Sequence, residues 1–295
     1  MTKKRKMNRL VPGDYINAVI LIFLGFIAVY PFLYVLALSL SDYGSVVSGK
    51  VFLFPRGLNF EAYKMILGDR RVTWGFMNSI LYTVSGTSIS VFLTMLTAYP
   101  LADQKLKYRR ILMRVFIGAM LFSGGLIPFY ILIRTLRWID KIWALIIPGA
   151  VSPFLLIITR TFIEQLPGDL FDAAEIDGCG QMRLFLQIVV PLSLPIAATL
   201  ALNYGLSQWN SFFGPMIFLN TERKFPLQIF LRQIVLASQQ LESEAAYGRI
   251  FGSSTIVPES VKAGVLVIAS VPILVVYPFM QKYFVKGIMI GAIKG

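Results

Sequence analysis

Six stretches of this chain contain no Asp, Glu, Lys, Arg or His: Tyr15–Ser41, Phe76–Ala102, Val115–Ile133, Ile142–Thr159, Leu192–Leu219 and Ala263–Met280. They run from 18 to 28 residues, and about 20 apolar residues in helical form cross the hydrocarbon core of a bilayer. The pattern predicts an all-α membrane protein with six transmembrane helices and both termini on one side. Prolines interrupt the stretches at Pro31, Pro128, Pro148, Pro153, Pro195, Pro215, Pro272 and Pro278. Membrane helices tolerate such breaks where neighbours satisfy the freed backbone groups, so kinked helices around a pathway are expected. Ser123-Gly124-Gly125, inside the third stretch, reads as a place of close helix packing.

The first stretch follows Lys3, Lys4, Arg5 and Lys6 and ends near Ala37-Leu38-Ser39, which gives it some likeness to a cleavable leader. Its apolar run is much longer than a leader's apolar region, and five more spans follow, so an uncleaved first helix is expected. The positive charge is spread along the edges of the spans. With the N-terminus inside, the inner segments hold 15 Lys and Arg and the outer ones 13, a narrow preference that rests on residues 3–9 and 105–110.

Only 15% of the 295 residues are charged, against about 25% in soluble domains. The net charge of +13 forms no continuous basic stripe, which argues against a nucleic-acid partner. One cysteine, Cys179, excludes an internal disulfide. With no histidine in the chain, the commonest metal ligand and proton shuttle is missing. A proton-coupled carrier usually needs ionisable groups inside the membrane, and the six spans have none. A sodium carrier built on backbone carbonyls escapes that argument, so an ion-coupled secondary transporter stands as the alternative. No Gly-rich phosphate loop, metal cluster or paired intramembrane acids support an enzyme.

Arg160–Val190 is acidic in a basic protein, with Glu164, Asp169, Asp172, Glu175 and Asp177 against Arg160 and Arg183. Asp169 is placed to cap a short helix, and acids in a first turn suit the positive end of the helix dipole. Ala173 and Ala174 leave a low-relief surface, and Gly178 is suited to a left-handed helix end. A second short helix from about Gln181 leads to Pro191 and the fifth span. By themselves these features also describe a capped interfacial helix.

The segment resembles the EAA loop of binding-protein-dependent ABC permeases. Asp172-Ala173-Ala174 precede Gly178 at that loop's spacing, and Ile188-x-Val190-Pro191 follow after nine residues. Asp stands for Glu at 172 and Val for Leu at 190. Ala174-Glu-Ile-Asp-Gly178, Gln208-Trp-Asn210 and the ending Lys286–Gly295 are similar to the carbohydrate-type members. Phe122–Tyr130 and Tyr277–Lys286 resemble a subgroup for larger or uncommon oligosaccharides.

The resemblance implies a type I ABC importer permease architecture: a cytoplasmic segment at 1–14, a six-helix domain at 15–285, and a cytoplasmic tail at 286–295. Loop 160–190 would be cytoplasmic and loop 220–262 external. It implies a bacterial plasma membrane, a heterodimer with a second homologous permease, two ATPase subunits and an extracellular solute-binding protein. It also implies a sugar or oligosaccharide substrate. This chain itself would bind no cofactor or metal, and ATP and Mg would be held by the partner ATPase. The ATPase would dock on Asp169, Asp172, Ala173, Ala174, Glu175, Gly178, Ile188 and Pro191. The tail, through Gly291, Lys294 and Gly295, would reach between the ATPase subunits.

In the fifth stretch Asn203, Ser207, Gln208, Trp209 and Asn210 offer amides, a hydroxyl and a flat indole suited to a sugar path. The same residue types also bond helix to helix. The outer loop carries Tyr247, Gly248, Phe251 and Gly252, read as a contact for the docked binding protein, or else as part of a lid on the chain itself.

Overall fold

A computed structural model describes residues 12–122, 124–243 and 258–292. They form helices and connecting turns, with no strand among the described residues. The chain divides into two compact units, Met1–Gly68 with Ile234–Ile268, and Asp69–Gln233 with Ala269–Gly295.

In the first unit α1 (Pro12–Ser39) presents exposed apolar side chains along its length, such as Ile22, Phe23 and Phe32. Its end is polar and buried. Ser39 Oγ and Tyr63 Oη share a hydrogen bond of 2.7 Å, and Ser41 Oγ donates to the Ala37 carbonyl at 2.6 Å. The segment that follows folds into α2 (Tyr43–Val47), capped by Asp42, and α3 (Glu61–Gly68). A β-carbon at Gly264 would sit 3.1 Å from Ile66 Cδ1, which marks how closely the start of the last helix approaches α3.

The second unit is built on α4 (Arg70–Ala102), which packs against α8 (Pro153–Glu164) and α12 (Leu194–Trp209). Its core joins Met95, Ala98 and Leu101 of α4 to Leu156 and Ile163 of α8 and Leu200 and Tyr204 of α12. Between these run α5 (Arg109–Leu121), α6 (Leu126–Thr135) and α7 (Trp143–Ile146). The chain then forms α9 (Gly168–Ile176), α10 (Gln181–Leu184), a π-turn at Phe185–Val189, α11 (Val190–Leu192) and, after α12, α13 (Phe213–Phe218). α14 (Leu227–Ser243) and α15 (Pro258–Ala292) contribute residues to both units.

The expected count of six spans is not reproduced. Among the described residues three helices are long and apolar enough to cross a membrane: Tyr15–Ser39, Arg70–Ala102 and Glu259–Pro278. Two bent pairs, Arg109–Leu121 with Leu126–Thr135 and Gln181–Leu192 with Leu194–Trp209, raise the number to at most five. The fourth stretch, Ile142–Thr159, is split around Pro148 and Pro153 into α7 of 4 residues and α8 of 12. Proline removes a donor and clashes with the preceding turn, so it starts helices more readily than it continues them. At about 1.5 Å per residue α8 reaches about 18 Å, short of a core about 30 Å thick. The pair ending in α12 bends by 81° at Ser193, between Pro191 and Pro195. The close packing expected at Ser123-Gly124-Gly125 is not seen at Gly124: Ser123 lies outside the described residues, a β-carbon at Gly124 would meet nothing within 4 Å among the described residues, and Gly125, at φ 80, makes the turn into α6.

Candidate functional site

The acidic segment folds into α9, a turn and α10, mounted on the core of the second unit. Pro167 holds the N-cap position, so Asp169 lies in the first turn and is not the cap expected for it. There its carboxylate still faces the positive end of the helix dipole. The helix stops in a Schellman arrangement: Cys179 N donates to the Ala174 carbonyl at 2.9 Å and Gly178 N to that of Glu175 at 3.1 Å. Gly178 takes φ 71 to make this closure, a conformation that costs a residue with a β-carbon about 1 kcal/mol or more.

Asp169, Asp172 and Glu175, spaced by three residues, are all exposed on one face. The two alanines part company. Ala173 is exposed, whereas Ala174 is 7% exposed and packs into the core with Leu184, Phe185 and Val189. Ala174 therefore serves the chain's own packing and adds little to an outward surface. Ile188 is half-buried and packs at the edge of that core, and Pro191 is exposed at the start of the bend. Glu164 is not part of the acidic face either. It accepts hydrogen bonds from both Arg109 and Arg160, and Arg160 Nε donates to the Leu101 carbonyl at 3.1 Å. One carboxylate thus gathers α5 and α8 to the end of α4 just before the acidic helix begins. Beside α9 lies a cavity of about 620 Å³ lined by Tyr99, Asp103, Phe171, Asp172 and Glu175 among others.

The candidate path residues separate into two sets. Asn203, Ser207 and Asn210 lie on one exposed face of α12, Asn203 and Asn210 each donating to a carbonyl one turn back. Trp209 points the other way. It is 5% exposed, its Nε1 donates to the Ala269 carbonyl at 3.0 Å, and it meets Phe76 edge to face at 5.9 Å. Its geometry is that of a tie between helices. Gln208 lies over Gly86, where a β-carbon would come within 2.9 Å of its amide nitrogen. Tyr204 joins three helices: its hydroxyl bonds Thr94 Oγ1 at 2.8 Å and accepts from Ser152 N at 2.9 Å. A cavity of about 360 Å³ opens between α4, α12 and α15, lined by Thr83, Thr87, Gly205, Trp209, Pro272 and Ile273 among others. The Thr83 and Thr87 hydroxyls are buried there without a hydrogen-bond partner among the described residues.

Residues 65–290 match the family described as the inner membrane component of binding-protein-dependent transport systems. This chain belongs to that family. As a permease it is a transport component and not an enzyme, because ATP hydrolysis in this family belongs to separate ATPase subunits. The permease is 40% identical over 282 residues to Protein LplC of Bacillus subtilis, covering 96% of this chain and 95% of that one. It is 39% identical over 276 residues to the same organism's polygalacturonan/rhamnogalacturonan transport system permease protein YtcP, covering 93% and 96%. Among solved structures it superposes at a TM-score of 0.84 and 30% identity on a chain of a bacterial ABC transporter involved in the import of the acidic polysaccharide alginate, covering 94% of this chain and 100% of that one. The apolar helices and the family together make it a membrane protein and favour the ABC reading over the ion-coupled alternative.

One residue of the permease escaped the sequence reading. Asp140, at φ 60 in the turn after α6, accepts from Asn220 N and Thr221 N at 3.0 Å each and from Thr221 Oγ1 at 2.7 Å. Lys224 Nζ pairs with it at 2.5 Å. Burial pushes this carboxyl up, but the Lys224 ammonium and the Thr221 and Asn220 donors outweigh it and hold the group well below the usual carboxylate range. Its partners lie 80 to 84 residues away, a distance no local motif announces. Tyr247, Gly248, Phe251, Gly252, Lys294 and Gly295 lie outside the described residues. Gly291 falls in the last turn of α15, so the helix runs past residue 286, where the tail was expected to begin.

Proposed function

We propose that this permease forms, with a second homologous chain, the pathway by which a sugar or oligosaccharide enters a bacterial cell. In this reading an external solute-binding protein delivers the cargo and two ATPase subunits, holding ATP and Mg, drive its release. Both termini and the 160–190 loop face the cytoplasm. The names of the relatives support a carbohydrate cargo, and two of them concern acidic polysaccharides. Oligogalacturonates are therefore the first substrates to try.

The observation that carries the reading is the two-sided build of α9. Its outer face holds Asp169, Asp172, Glu175 and Ala173, while its inner face, through Ala174, is packed against α4, α8 and α10. A helix fixed in this way moves only if the spans beneath it move, so a force applied by an ATPase on the outer face reaches the pathway. Gly178→Asp, which strains the closure at φ 71, is expected to abolish uptake of labelled oligogalacturonate by cells carrying the complete transporter. Membrane insertion should be kept. Ala173→Trp should block docking on the outer face with the same result. ATPase subunits that co-purify with either variant and drive uptake at the wild-type rate would overturn the proposal.

The end of the chain, with Gly291, Lys294 and Gly295, is assigned a second contact with the ATPase subunits. Deleting Gly291–Gly295 should lower transport and substrate-stimulated ATP hydrolysis more than it lowers assembly. The 244–257 segment, with Tyr247, Gly248, Phe251 and Gly252, is assigned to the docked binding protein.

A further inference from the structure

At the turn between α4 and α5, on the side of the molecule that carries α9, a cavity of about 700 Å³ is lined by Lys105, Lys107, Arg109, Arg110, Arg114 and Arg160. Two acids lie close by. Glu164 is taken by Arg109 and Arg160, and Asp103 Oδ1 accepts from the Lys105 backbone N–H at 2.8 Å. Lys105, Lys107, Arg110 and Arg114 pair with no carboxylate among the described residues. Gathering them is unfavourable in three ways. Arg110 and Arg114 are like charges at i, i+4; Arg109 and Arg110 sit in the first turn of α5, against the helix dipole; and the Tyr108 N-cap makes no side-chain bond to offset either. An anion from outside the chain would relieve all three.

The rest of α5 says what kind of anion. Arg110, Arg114, Ile117 and Leu121 follow one another at four, three and four residues along a single face. Ile117 is 43% exposed and Leu121 72%. One ridge thus runs from the cationic cavity at the end of α4 onto an open apolar strip about 6 Å long, at about 1.5 Å per residue. A soluble phosphate compound would use the first half and leave the second bare. We propose that this ridge is a binding site for an anionic phospholipid, with the phosphate headgroup in the basic cavity and an acyl chain along Ile117 and Leu121. Basic pockets at the edges of membrane helices take such headgroups at about 1 kcal/mol per Lys or Arg.

The test uses the purified full-length chain in neutral detergent, titrated with dioleoyl-phosphatidylglycerol or dioleoyl-phosphatidylcholine and read by native mass spectrometry. Phosphatidylglycerol should be retained and phosphatidylcholine not. The pair Arg110→Gln with Arg114→Gln should weaken retention about thirtyfold, while Arg110→Lys with Arg114→Lys, which keeps the charge, should stay within about threefold. If the Gln pair fails to insert, Lys105→Gln with Lys107→Gln replaces it and should show a comparable loss. Equal retention of the two lipids, or no loss in the Gln variants, would overturn the proposal. Displacement of the lipid by millimolar inorganic phosphate alone would make the cavity a soluble-phosphate site and overturn it as well. In the assembled transporter, crosslinks from position 110 to an ATPase subunit would assign the cavity to a protein contact instead.

Discussion

At the scale of single residues, Asp140 and Gly178 show opposite kinds of legibility. Gly178 was readable because its demand is local: a helix that must stop and turn wants a residue free to take φ 71. Asp140 was not, since an acid in a short turn looks like any solvated loop residue until the chain brings Asn220, Thr221 and Lys224 to it. Asp140→Asn keeps a side chain that tolerates positive φ and removes the charge alone. It should cost about 1 kcal/mol, a figure kept low because Lys224 is half exposed. The sign of the pH dependence follows from the lowered carboxyl. The native chain draws stability from it above the usual carboxylate range, and loses that stability as pH falls through the native value. Thermal unfolding in detergent should therefore show a constant gap between Asp140 and its Asn variant above about pH 5, closing below about pH 4. A gap that widens in acid would contradict this account.

At the scale of elements, composition located most of the apolar helices, and proline decided where they failed. α12 fell within its expected stretch and α4 covered its own, starting six residues earlier at Arg70, while the fourth stretch broke around Pro148 and Pro153. A run without charge tells the length of an apolar segment, but a bend inside it depends on which neighbours hold the freed backbone. The joints between helices were equally invisible, because Tyr204 and Gly75 have no pattern of their own. Tyr204→Phe strips a hydroxyl that serves Thr94 and Ser152 N. It should lower stability in detergent by about 1 kcal/mol, the usual worth of a helix-to-helix bond in a membrane. Gly75 is more tightly bound by space: a β-carbon there would sit 2.7 Å from Phe230 Cδ2 and 3.0 Å from Leu227 Cα. At Gly86 the obstacle is the flexible end of Gln208. Gly75→Ala should therefore destabilise by about 1 to 3 kcal/mol and Gly86→Ala by distinctly less, a ranking that thermal unfolding of the two variants would check.

At the scale of the whole molecule, the acidic helix, its spacing to Pro191 and the membrane class were all visible before any coordinates. What stayed hidden was the division of labour inside each motif. Ala173 and Ala174 are neighbours in the chain and face opposite ways, and Trp209 beside Gln208 is buried and ties α12 to the Ala269 carbonyl of α15. Such choices are made by packing across the unit, and a spacing rule does not contain them. Replacing residues 245–254 by a short Gly-Ser linker tests the proposed role of the 244–257 segment at this scale. Transport should fall while assembly and ATP binding persist, and a normal rate would leave the segment only a lid. The uncharged spans carry one further consequence. A formal charge that crosses a membrane under a potential of 100 mV exchanges about 2.3 kcal/mol with the field. The six stretches hold no such charge, so rearranging them moves no formal charge of this chain through the field. Collapsing the membrane voltage should leave the import of a neutral oligosaccharide unchanged, and any voltage dependence seen with an acidic one would count the carboxylates of the cargo.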